Sequence, residues 1–158
     1  MSQGVEWALH CVVNLSYLES GRSGSRTRLA EYYGLSDAYL AKHLKSLVRA
    51  GVLVASTGPQ GGFRLARAPE DITVLEVVEA IEGAGPSFLC TEIRQQGVCA
   101  APPAACRRAC PVAKVMYAAD AAWRDSLRQV TIADLGRRVP KTYQKRGADW
   151  MRGTLVRP

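Results

Sequence analysis

Two glycines, Gly34 and Gly51, divide the stretch RTRLAEYYGLSDAYLAKHLKSLVRAGVLVASTGPQGGFRLA, residues 26–66, into pieces with different periodicities. Residues 26–33 predict a short helix with Leu29 and Ala30 facing inward, stopped by Gly34. Ser36 stands where an N-cap belongs, and residues 37–50 carry helical spacing until Gly51 ends it. Helix, a turn at Gly34-Leu35-Ser36, then helix is the spacing of a helix-turn-helix. Two short runs follow, residues 52–56 and 62–66, around Thr57-Gly58-Pro59-Gln60-Gly61. Apolar or small residues flanking a Gly/Pro turn predict a β-hairpin, and a hairpin directly after a second helix makes a wing.

The flanking segments extend a mainly helical chain. Residues 4–19 predict a first helix, with Val5, Leu9, Val12 and Ser16 inward and Ala8 and Val13 on the margins. Residues 73–82 predict another, facing inward through Val74, Val77, Val78 and Ile81. Pro111 opens a long helix through Val112, Val115, Met116, Ala119, Trp123 and Leu127, and residues 131–138 add one more helical turn. Beyond Pro140 the polar, basic tail shows little periodicity and is expected to be mobile. The expected fold class is therefore mainly α with a small β-hairpin: a winged helix-turn-helix DNA-binding domain plus a long C-terminal dimerisation helix. The expected divisions are residues 1–83 for the DNA-binding domain, 84–111 for a cysteine-rich loop, 112–138 for dimerisation and 139–158 for the tail. Apolar runs are only a few residues long, so no membrane span is expected, and no basic region precedes the first apolar residues as in a secretory signal. A cytoplasmic location is the simplest expectation.

Charge adds a partner. The formal net charge is +7, unevenly spread. Residues 22–67 carry eight cations and two acids, residues 69–134 carry six cations and nine acids, and residues 136–158 carry seven cations and one acid. A localised positive field attracts a polyanion, here a double-stranded DNA operator. On a helical wheel at about 100° per residue, Leu40, Leu44, Leu47 and Val48 fall on one side of the second helix of the motif. Ala38, Lys42, Lys45 and Arg49 fall on the other, with Ala41 at its edge. Small residues let a helix approach base edges, and cations further along meet phosphates. Ser36, Ala38, Tyr39, Ala41, Lys42, Lys45 and Arg49 are the candidate DNA contacts on this helix. Arg26, Thr27 and Arg28 open the preceding helix, where backbone N–H groups and cations can hold a phosphate. Gln60 and Arg64 are the candidates from the wing. One such motif reads about half a site, so a two-fold homodimer is expected, joined through the Ala-rich long helix.

Four of the five cysteines lie in LCTEIRQQGVCAAPPAACRRACP, residues 89–111. Cys90, Cys99, Cys106 and Cys110 form no CxxC pair, which makes structural zinc the weaker reading. Thiolates suit iron–sulfur clusters as well as zinc, and Arg107 and Arg108 would favour a redox thiol switch. The loop alone leaves all three open. Cys11 reads as a small packed residue. On the first helix Glu6 and His10 are four residues apart and share a face, either as an ordinary surface pair or as two metal ligands. Trp7 falls away from the apolar stripe, as an interface aromatic does. No triad, phosphate loop or paired acids stand in a recognisable catalytic frame, so no enzymatic activity is expected.

The run LAEYYGLSDAYLAKHLKSLVRAGVLVASTGPQGGFRLARAPEDITVLEVVEAIEG resembles the iron–sulfur winged-helix regulators typified by IscR and NsrR. LAE, the LSxxYLxxxLxxLxxAG segment, GGFRLAR and the ITxLxVVxAIEG helix carry the likeness. GVEWALHC, FLCTEIRQQG and CxxxCP resemble a redox-sensing branch of that family. One departure lies in the wing, where many members carry arginine and this chain has Thr57. The resemblance implies a homodimeric transcription regulator, acting as a repressor, whose iron–sulfur cluster, most simply [2Fe-2S], sets DNA affinity. It implies Cys90, Cys110, Glu6 and His10 as ligands, the last two supplied to the partner's loop, with Cys99 and Cys106 as alternates. Cys90, Cys99 and Cys106 plus one further ligand is the competing set. In this reading Trp7 relays cluster charge to the recognition helix. A zinc or thiol-switch regulator without a cluster is the rival.

Overall fold

The first helix, α1, spans Gln3–Leu15 and is tied at its start to a distant residue. The Ser2 backbone N–H and hydroxyl both donate to Glu82, at 2.8 and 2.6 Å. The chain is a computed structural model that describes residues 1–58, 61–108 and 110–155. The buried stripe of α1 runs through Val5, Ala8, Cys11, Val12 and Leu15. This corrects two expectations. Leu9 is only half-buried and Ser16 is the C-cap, so the helix ends four residues early. Small side chains explain the rotation: Ala8 and Cys11, both at zero exposure, let neighbouring helices approach, and Leu9 is left at the edge.

The helix-turn-helix forms as its glycines require. α2 is Arg26–Tyr33; the Ser25 hydroxyl accepts the Arg28 N–H at 3.2 Å, and Gly34 closes the helix at φ 63°, ψ 33°. That left-handed cap is cheap for glycine and costly for any other residue. α3, the second helix of the motif, is Asp37–Arg49, burying Leu40, His43, Leu44 and Leu47. Ser36 sits at its N-cap position, yet its hydroxyl makes no capping bond. The wing follows as β1, Leu53–Ser56, antiparallel to β2, Gly62–Leu65, with Val54 opposite Arg64. Gly24, just ahead of α2, exchanges two 2.9 Å backbone hydrogen bonds with Phe63 and so ties the wing to the motif. Gln60, expected in the wing, lies outside the described residues.

α4, Val74–Glu82, opens with a reciprocal cap: Thr73 accepts the Glu76 N–H while Glu76 accepts the Thr73 N–H. The long helix, α5, spans Pro111–Arg128 and buries only Ala113. Three residues after its end, the Thr131 side chain caps α6, Ile132–Arg138, reciprocally with Asp134. Backbone bonds from Val74 N–H to Val130 C=O, 2.8 Å, and from Ile132 N–H to Ile72 C=O, 2.9 Å, stitch α6 beside α4.

The tail is not an unstructured run. Residues Lys141–Arg152 form α7, packed on α1 and α2, with Gly147, Ala148 and Met151 buried. Its inward stripe is made of small residues plus Met151, so a hydrophobic pattern scarcely registers in sequence. A Cβ on Gly147 would lie 2.4 Å from Asn14 Oδ1, so the close approach to α1 depends on that glycine. The chain accordingly forms two compact units: residues 1–83 with 127–158, and residues 84–126. No helix among the described residues is long and apolar enough to cross a membrane.

Candidate nucleic-acid interface and cysteine loop

The outer face of α3 presents Ser36, Ala38, Tyr39, Lys42, Lys45 and Arg49 to solvent, with Ala41 half-buried. Among the described residues neither Lys42 nor Lys45 has an ion-pair partner, so both charges are available to an external anion. Arg49 rests against Ser46 at 3.2 Å. Arg26 and Thr27 are exposed at the start of α2, and Arg26 pairs with Asp37 at 2.8 Å, joining the starts of α2 and α3. Exposed pairs of this kind contribute about 0–1 kcal/mol, so this one can be exchanged for a phosphate at little cost. Arg64 is half-buried on β2. Arg28 departs from expectation: it turns inward, donating to the Trp150 carbonyl at 2.8 Å with its guanidinium 5.6 Å from the Trp150 ring centre.

Behind this face lies an aromatic contact that connects α1 to α3. The Trp7 ring meets Tyr39 edge-on at 5.1 Å between centroids, and His43 at 6.1 Å. Tyr39 and His43 meet at 5.0 Å. Gly4 completes the nest, since a Cβ there would lie 2.4 Å from His43 Cε1. His43 is 7% exposed, and among the described residues its Nε2 has no hydrogen-bond partner. Burial, then the charge on Lys42, lowers its pKa. His43 was not singled out from the sequence, although Leu40, His43, Leu44 and Leu47 share helical spacing on the inward face.

Glu6 and His10 are both exposed and, with Val5, Leu9, Val13, Leu135 and Val139, line an apolar groove of about 480 Å³. The Tyr33 hydroxyl donates to the His10 carbonyl at 3.0 Å, and the two rings lie 5.7 Å apart. Burial pushes the Tyr33 phenol well above its ordinary pKa, so it stays a donor.

In the second unit all four loop cysteines are free thiols, Cys90 and Cys99 exposed, Cys106 and Cys110 half-buried. Cys110 stands just ahead of α5, and its Sγ accepts the Ala113 N–H at 3.3 Å. An N–H aimed at sulfur suits a thiolate ligand. Arg94 holds the loop: it binds Glu92 through two bonds, 2.5 and 2.7 Å, and reaches the Arg108 carbonyl at 3.1 Å. The Glu92 bonds raise the Arg94 pKa against the opposing effect of burial, and Cys106 and Cys110 add to the rise. Glu92 itself sits at φ 52°, a conformation non-glycine residues seldom adopt. Asp120 accepts the Ser87 N–H at 3.0 Å, and Arg124 donates to the Ala84 and Gly85 carbonyls at 3.2 and 2.5 Å, fixing the segment that leads to Cys90. The soft donors therefore fit an iron–sulfur group. Among the described residues, however, no three His, Cys, Asp or Glu side chains gather into a metal-holding group.

The pattern of the Rrf2 family, described as "Iron-dependent Transcriptional regulator", matches residues 1–138. The chain belongs to the Rrf2 family. Its similarity to the putative HTH-type transcriptional regulator YffB of Lactococcus lactis is 38% identity over 88 residues, 56% of each chain. It is 33% identical over 88 residues to the putative HTH-type transcriptional regulator YwgB of Bacillus subtilis, again 56% of each. The chain thus spans about half the length of these two curated relatives. The HTH-type transcriptional regulator NsrR of Shouchella clausii is 29% identical over 130 residues, 82% of this chain and 83% of that one. Two solved structures share the fold. CymR, the global cysteine regulator of B. subtilis, has TM-score 0.66 at 21% identity, covering 89% of this chain and 98% of that one. IscR of T. potens has TM-score 0.67 at 22% identity, covering 90% and 89%. This Rrf2 chain has the winged-helix fold of these structures, as its motif and hairpin led us to expect.

Proposed function

We propose that this Rrf2 regulator binds a double-stranded operator as a homodimer and senses redox state through an iron–sulfur cluster, [2Fe-2S] in the simplest form. The observation that carries the reading is the Trp7–Tyr39 contact. It joins a helix bearing two candidate ligands, Glu6 and His10, to the helix that faces DNA. α3 lies in the major groove, with Ala38 and Ala41 near base edges and Lys42, Lys45 and Arg49 on phosphates. Arg26, Thr27 and Arg64 add backbone contacts.

Cys90 and Cys110 hold the cluster together with Glu6 and His10 from the second copy, and Cys99 and Cys106 are the alternates. Such a site is completed only in the dimer, which accords with the lack of a gathered ligand group in one chain. When bound, the cluster supplies a change of one charge at low chemical cost. The chain's own part is to convert that change into a helix movement: His10 is tied to α2 through Tyr33, and Trp7 stands between Glu6 and Tyr39. Charge altered at Glu6 or His10 shifts α1, and Trp7 carries the shift to α3. DNA affinity then differs between the two states, with repression in one of them.

Separate Glu6→Gln and His10→Ala variants test the ligand set. Loss or displacement of cluster absorption in each supports mixed ligation. Unchanged spectra in both would leave an all-cysteine site. A second reading has one observation in its favour: all four loop thiols are free and two are exposed, as a cluster-free thiol switch requires. Protein purified without air that is colourless and iron-free, yet loses DNA on oxidation, would establish that reading, and zinc in place of iron would establish the zinc variant.

A further inference from the structure

α2 is a weak helix by itself. It has eight residues, RTRLAEYY, and buries only Leu29 and Ala30. A helix so short is unstable in water without packing partners. Its outer side receives α7, which lies beyond the residue at which the family match ends. Trp150 Nε1–H donates to the Arg28 carbonyl at 2.8 Å, and the Arg28 guanidinium returns a 2.8 Å bond to the Trp150 carbonyl. The same guanidinium lies 5.6 Å from the centre of the Trp150 ring, and Tyr32 contacts that ring at 6.5 Å. Gly153, at φ 78°, ends α7 against the same group: a Cβ there would stand 2.8 Å from Arg28 Nη2. Main chain, side chain and a glycine gap thus converge on one arginine. Nothing comparable is needed for a surface cation awaiting a phosphate.

We propose that α7 is a brace on the DNA-reading motif and that Arg28 is a positioning residue, clamped by Trp150, rather than a phosphate contact. The clamp sets where the first turn of α2 stands, and that turn carries Arg26 and Thr27. α2 packs directly on α3, and Arg26 also pairs with Asp37 at the start of α3, so a shift of α2 reaches the recognition helix. The inference rests on the DNA-binding reading above.

The test uses the full chain and a duplex enriched on it from random-sequence DNA. Affinity is measured against salt concentration for wild type, Trp150→Phe, Arg28→Gln and the double variant, with circular dichroism confirming the fold. Trp150→Phe keeps an aromatic ring beside Arg28 but removes the indole N–H donor together with part of the ring area. Each single variant is expected to lose about fivefold in affinity, the equivalent of one neutral hydrogen bond. The double variant should be no worse than the weaker single, because both break one clamp. The salt dependence should keep its slope, and amide exchange in residues 29–33 should quicken in Trp150→Phe. The brace is overturned if Trp150→Phe binds as wild type while Arg28→Gln lowers the slope by about one, the mark of a lost phosphate contact. If wild type enriches no duplex, it is the DNA-binding reading that falls. Amide exchange then still decides the brace, and unaltered exchange in α2 overturns it.

Discussion

Trp7 and His43 show how much one aromatic nest can decide. The sequence places Trp7 off the apolar stripe of α1, but which helix face receives it is set by packing between elements, which periodicity does not encode. His43 was legible in principle, since it completes the Leu40–Leu47 stripe. It was overlooked because a histidine interrupts an otherwise aliphatic pattern. Two predictions belong to this scale. Trp7→Phe shortens the ring that reaches Tyr39, so it should leave iron content unchanged while narrowing the difference in DNA affinity between oxidised and reduced protein. A full difference in that variant would remove Trp7 from the relay. For His43, the folded pKa lies below its ordinary value of 6.5 because of burial and then Lys42. Below 6.5 the unfolded chain therefore binds more protons than the folded one, and stability falls as pH drops through 6.5 until the folded histidine also titrates. The urea midpoint should decrease between about pH 7.5 and about pH 5.5, and His43→Gln should flatten that decrease.

The same contrast holds for whole elements. Gly34, Gly51 and the Gly/Pro turn made α2, α3 and the wing readable, because each break has a backbone cause that is local. α6 and α7 were harder. α6 depends on the Thr131–Asp134 cap and on backbone bonds to residues distant in sequence, Ile72 and Val74. α7 hides a stripe of Gly147 and Ala148 that carries almost no hydrophobic signal until a partner surface is known. α5 is the opposite case: Val112, Val115 and Met116 are 64, 67 and 41% exposed and share one face, so an apolar helix face is uncovered in the single chain. A second copy of α5 is the occupant that the dimer reading requires. Val115→Glu would set a charge in the centre of that face. Sedimentation should then show monomers where wild type shows dimers, and DNA affinity should fall by at least tenfold as the second half-site contact is lost. A dimer that survives the change would place the interface elsewhere.

For the molecule as a whole, the cysteine loop was legible as a site and not as a ligand set. Four cysteines in one short loop stand out in sequence, whereas spacing does not choose among them, and among the described residues of one chain no three ligating side chains gather. The charge pattern was more informative: of the cations in residues 22–67, Arg26 on α2 and Lys42, Lys45 and Arg49 on α3 are exposed, whereas Arg28 turns inward and Arg64 is half-buried. On the proposed function, cluster state and DNA affinity are one linked equilibrium, with a coupling on the order of fivefold to a hundredfold. The most direct measurement is protein purified without air, its absorption and electron-paramagnetic-resonance spectra recorded, then titrated with its enriched duplex before and after reduction. The account predicts a coloured protein with about two irons per chain whose DNA affinity changes on reduction and recovers on reoxidation. An iron-free protein, or an iron-loaded one with the same affinity in both states, would contradict it.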